Sequence, residues 1–154
     1  MGTSFVHIDW KGFWMQDSIL ELWLRLLALH LEDPLEENSK TQQIRDGWLL
    51  HSHGFFAGCV QVGLGAAVAT AADRDLVVTA IRSLIGALEK GPEQLDHGTL
   101  NILGFQSGGY PRDIESARLI EVGNAFLALI AGEIQSDASS KEFMPGCWID
   151  PTDQ

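Results

Sequence analysis

The sequence has 154 residues, the length of one domain, and its 45% apolar fraction excludes an intrinsically disordered chain. Twenty-one acids against ten bases leave a formal net charge of −11, with the excess present in both halves. With no basic stripe, the chain is a poor match for nucleic acid or an anionic membrane surface and a good one for a basic protein surface.

The first residues lack the basic start and apolar run of a secretory signal, so an untargeted, cytoplasmic protein is expected. Val6, Ile8 and Trp10 alternate at period two, which predicts a strand or an extended arm. Lys11-Gly12 is expected to end it. Asp17 or Ser18 can cap a helix, and Ser18 with Glu21 fits a capping box. From 19 to 31 nearly every residue is apolar; Glu21 and Arg25 make the polar stripe. Such a helix needs cover on most sides and is expected at the centre of the fold. Glu32-Asp33-Pro34 stops it.

After an acidic loop containing Glu36 and Glu37, Ser39 and Gln42 repeat the capping pattern before a second helix bearing Ile44 and Trp48. Residues 55–69 read as a helix weakened by Gly58, Gly63 and Gly65. The clearest period spans 72–90, where Leu76, Ala80, Leu84 and Leu88 recur every four residues behind Thr70 as cap. Gly91-Pro92 ends that helix. Short helical turns are expected over 92–96 and 99–104, then a loop over 106–112. A last long helix is expected from Asp113 as N-cap to Glu133, and a polar tail beyond it.

Few residues here form a chemical constellation. His51-x-His53 has the look of a metal pair, but two residues apart on a helix is about 200° of rotation, and no third ligand sits at a recognised spacing. His7-x-Asp9 would share a strand face, which reads as an exposed edge. Asp17 and Glu21 share a helix face, where capping accounts for both. Cys59 lies in an apolar run and reads as core; with Cys147 it makes no disulfide framework. The glycines at 63, 65, 108 and 109 fit neither a phosphate loop nor a dinucleotide fingerprint. No catalytic residue, metal or cofactor is therefore expected. Of five tryptophans, Trp23 and Trp48 read as core, whereas Trp10 and Trp14 flank a glycine and are candidates for an interface.

Gly12-Phe13-Trp14, Asp17, Leu20-Glu21 and Trp23-Leu24 together resemble the opening of small bacterial immunity proteins encoded beside polymorphic toxins. Trp48, Phe55 to Val60 with Gly58-Cys59, and Leu100-Asn101 extend the resemblance. It implies a cytosolic protein that binds and neutralises a cognate toxin, and it carries no active-site residues.

The expectation is thus one all-α domain over 1–154, a bundle of five to seven helices with its central helix near 17–32. Residues 1–16 are expected as an extended arm and 135–154 as an irregular tail. The expected function is non-enzymatic binding of a basic protein toxin, blocking its substrate surface. Glu32, Asp33, Glu36 and Glu37 supply the acidic contact and Trp14 the anchor. The alternatives are a small helical enzyme or ligand binder built on His30, Glu21 and His51, and a structural subunit with an exposed apolar patch.

Overall fold

A computed structural model describes residues 2–31, 39–52, 60, 62–104 and 108–147. In chain order the elements are β1 (Thr3–Ile8), β2 (Lys11–Gln16), α1 (Asp17–Leu29), α2 (Lys40–His51), α3 (Leu64–Ala67), α4 (Ala71–Lys90), β3 (Gln94–Leu95), α5 (His97–Ile102), β4 (Ile114–Glu115) and α6 (Ser116–Ile130). The all-α expectation is corrected: among the described residues, six helices accompany two antiparallel two-stranded sheets, β1–β2 and β3–β4.

The expected N-terminal arm is the first strand of a hairpin. Thr3 pairs with Gln16, Phe5 with Trp14 and Ile8 with Lys11, so the turn is Asp9-Trp10 and Lys11-Gly12 opens the return strand. The second strand escapes a pattern reading because Phe13, Trp14 and Met15 are all apolar, which hides the alternation. Ser4, Val6, Phe13 and Met15 are buried on the inner face. A Cβ on Gly12 would stand 1.8 Å from the Val6 carbonyl oxygen, so only glycine fits there. The β3–β4 pair spans two residues on each side, too short for any periodic signal.

β2 runs directly into α1, whose N-cap is Gln16 with no side-chain bond. The helix therefore starts too early for the Ser18–Glu21 capping box. Asp17 instead accepts a 2.6 Å bond from Ser4 Oγ, which itself accepts from the Val60 N–H at 2.9 Å. These bonds fasten the hairpin, the helix start and the segment at 60 to one another. α1 is enclosed by α2, α4, α6 and β2. Trp23 is wholly buried and leans on Phe126 at 5.6 Å between ring centroids; Phe126 in turn meets Phe13 at 5.8 Å. An aromatic column thus runs from α1 through α6 to the hairpin.

Ser39 and Thr70 cap α2 and α4 through the N–H groups of Gln42 and Asp73. The continuous helix expected over 55–69 is not found in its described part. Val60 and Val62 are non-helical, Gly63 takes φ +60°, and α3 covers only Leu64–Ala67. Residues 53–59 and 61 lie outside the described residues. Strand β3 replaces the helical turn expected over 92–96. α6 starts at Ser116 because Asp113 bonds His97 rather than capping it. The chain then returns along the hairpin: Gly12 N–H donates to Ser136 O at 2.8 Å and Trp14 Nε1 to Ala138 O at 2.9 Å. No helix among the described residues is long and apolar enough to cross a membrane.

Gly123 is where α6 reaches the core most closely. A Cβ there would lie 2.7 Å from the Ile85 side chain and 2.9 Å from the buried Trp23 ring. Alanine gains about 1 kcal/mol in helix propensity, against about 1–3 kcal/mol for overpacking a filled core. Gly123→Ala is expected to lower stability by up to about 2 kcal/mol, read as a lower denaturation midpoint with an unchanged slope.

Candidate functional site

The residues that the hairpin does not bury form an aromatic face. Phe5 and His7 stack at 5.5 Å and 16°, and His7 and Trp10 stack at 5.1 Å and 6°. Trp14 tilts against Phe5 at 5.4 Å. The ladder arises from period two, which puts 5 and 7 on one side of β1, and from register, which sets Trp14 opposite Phe5. Its end ring, Trp10, is 77% exposed.

Both turn residues have positive φ, Asp9 at 49° and Trp10 at 65°. A two-residue hairpin with this signature belongs to the type I′ class, which favours Asn or Asp followed by Gly. Asp9 meets that preference. Trp10 does not: a left-handed conformation costs a bulky residue roughly 1–2 kcal/mol. The stack on His7 offsets part of that, at about 0.5–1.5 kcal/mol.

Beside the ladder opens a cleft of about 840 Å³. One wall is the hairpin, with Phe5, His7, Asp9, Trp10 and Trp14; the other is the Val62–Ala66 segment. His7 Nδ1 is shielded from solvent and has no hydrogen-bond partner. A smaller cleft of about 240 Å³ lies between α2 and the same segment.

The site residues expected from sequence divide sharply. Glu32, Asp33, Glu36 and Glu37 lie outside the described residues, as do His53, Cys59 and the side chain of His51. Trp14 is half-buried, bonded to Ala138 O, and has the Lys141 ammonium 4.6 Å from its ring centroid. Trp10, at the other end of the ladder, is the exposed ring. His7 and Asp9 do not share a strand face, since Asp9 is in the turn, yet both line the cleft.

His30 and Glu21 do not converge. They sit nine residues apart on or just beyond α1, about 13 Å along the axis and on opposite sides. His30 Nδ1 lies 2.9 Å from Ser83 Oγ, and burial lowers its pKa. Burial raises that of Glu21, with Arg25 opposing and Asp17 assisting. Tyr110, whose hydroxyl donates to Ser18 O at 2.7 Å, is also pushed up by burial and by Glu21.

A second polar group was not foreseen. Asp96, His97 and Asp113 bring one ligand atom each within 4.8 Å of one another at the surface. Hydrogen bonds account for the arrangement: Asp96 caps α5 through Thr99, and Asp113 lies 2.6 Å from His97 Nδ1 while accepting the His97 N–H. Those bonds hold both carboxyls below the usual range. Exposed Leu49 and Leu50 on α2, and Ile102 and Leu103 at the end of α5, flank a link in which Arg25 donates to Ser52 Oγ and Gly104 O.

Comparison with protein-family models, curated proteins and solved structures finds no match for this chain.

Two predictions follow from this chemistry. The raised Glu21 pKa means that folding disfavours its charged form. The penalty is absent below the ordinary glutamate range and grows as pH rises through it toward the higher folded value. Glu21→Gln is therefore expected to stabilise at neutral pH and to leave stability near pH 3 unchanged, as measured by urea unfolding at each pH. At the turn, Trp10→Gly relieves the strain and loses the stack, so stability stays within about 1 kcal/mol. Trp10→Ala loses the stack and keeps the strain, so it is expected to be less stable than the glycine variant in the same unfolding experiment.

Proposed function

We propose that this protein is a non-enzymatic binding protein whose contact surface is the outer face of the β1–β2 hairpin, with Trp10 as its anchor. One observation carries the reading. A large aromatic ring is held exposed in a strained turn at the mouth of a cleft, where glycine would be the unstrained choice. Tryptophan is among the residue types enriched at the few positions that carry most of the binding energy of protein interfaces.

The resemblance to immunity proteins supplies the class of partner, a bacterial toxin, and the net charge of −11 favours a basic one. The mechanism is occlusion: the acidic chain is steered onto a basic surface and the aromatic tip locks it there, covering the substrate path. Glu32, Asp33, Glu36 and Glu37 add to the steering charge on this reading.

The test is coexpression with the product of the neighbouring reading frame. Protection of the host and a stable complex are expected, with Trp10→Gly weakening the complex at least tenfold while the fold persists. Changing Glu32, Asp33, Glu36 and Glu37 to lysine is expected to slow association and reduce its salt dependence. Absence of protection, or full affinity in the Trp10 variant, overturns the proposal.

A further inference from the structure

We infer that the cleft beside Trp10 is an arginine-binding site, taking a guanidinium from a loop of the basic partner; the inference rests on the binding role just proposed and names the chemistry of that same site. Three observations meet there. Asp9 is an exposed acid among the lining residues, with no salt bridge found for it among the described residues. The Trp10 and His7 rings lie parallel within 6°, and the Trp10 ring is 77% exposed, open to a flat cation. His7 backs the Trp10 ring from the inner side and also lines the cleft, so a cation on Trp10 is felt at His7 through the stack. The cleft, at about 840 Å³, has room for a side chain together with the loop that carries it.

Arginine suits these groups better than lysine. Its guanidinium is planar, stacks on aromatic faces and offers several donors in a fixed fork, so one group can lie against Trp10 while donating to Asp9. An ammonium is compact and strongly hydrated, and it gives up more hydration to enter an aromatic cleft. The molecule already places one cation against this face, since Lys141 lies over Trp14. That occupies Trp14 and leaves Trp10 for the partner.

The test uses the intact chain and three short peptides, identical except for two positions that are arginine, lysine or citrulline. Binding is followed by NMR of the tryptophan indole and histidine ring signals. The arginine peptide is expected to shift the Trp10 and His7 signals and to bind at least fivefold tighter than either control. Asp9→Asn keeps a residue suited to positive φ and removes the charge. It is expected to weaken the arginine peptide about five- to tenfold, and Trp10→Gly to abolish the shifts at His7. Equal binding of lysine shows diffuse attraction to an acidic surface and overturns the inference; equal binding of citrulline shows planar packing without charge and does the same. Binding that survives both variants places the peptide elsewhere and also overturns it. Should arginine preference fail while Trp10→Gly still breaks the complex with the partner, the binding role stands and the guanidinium site falls.

Discussion

The burial of α1 is the constraint on which the rest of the structure depends. Ile19, Leu20, Leu22, Trp23, Leu24, Leu27 and Ala28 are buried, and they face too many directions for a single partner helix to cover. α4 and α6 take two sides and α2 a third, and the hairpin closes the remainder through β2. No loop separates β2 from α1, so the hairpin's orientation is coupled to the helix at the Gln16–Asp17 junction. The Ser4–Asp17 bond and the Val60 N–H reinforce that junction from a third segment. With Val6, Phe13 and Met15 committed to the core, period two commits Phe5, His7 and Trp14 to the outside. The aromatic face is thus a geometric consequence of covering α1.

The turn is not such a consequence. Nothing about covering α1 demands tryptophan at a left-handed position. Asp9 satisfies the first turn site by its own preference, and glycine at the second would close the same hairpin with less strain. A strained conformation persists only where its surroundings support it, and here the support is the parallel stack on His7. Within that stack His7 has its Nδ1 buried without a hydrogen-bond partner. Two unfavourable features therefore sit side by side at the mouth of one cleft, which is where a protein that trades stability for recognition is expected to carry them.

Much of the helical framework was legible in the sequence. The four-residue recurrence from Leu76 to Leu88 marks α4, and Ser39 and Thr70 cap as their positions predict. What failed to show was anything dependent on pairing across distance. The hairpin was hidden by three consecutive apolar residues, and β3 and β4 each span a single period with nothing to repeat. Asp113 looked like a helix cap because its competing partner, His97, is distant in sequence. The candidate site was half visible: glycine flanking singled out Trp10 and Trp14, but only the register and the turn's φ angles tell the exposed ring from the one held by Ala138 and Lys141.

On the binding role proposed above, charge and aromatic contact divide the work of recognition by distance. A net charge of −11 distributed over both halves raises the rate at which a basic surface arrives, but it selects no orientation. At physiological ionic strength the field of any one carboxylate fades over about 8 Å, so register on the partner has to come from contacts at shorter range. On that role the hairpin tip is the element to supply them, and its base is well held: Gly12 bonds Ser136, Trp14 bonds Ala138, and the inner face is buried in the core. A preorganised ring loses little freedom on binding, so more of its contact energy survives as affinity. On the proposed binding role, acidity gathers a basic partner and the fixed tryptophan selects one face of it.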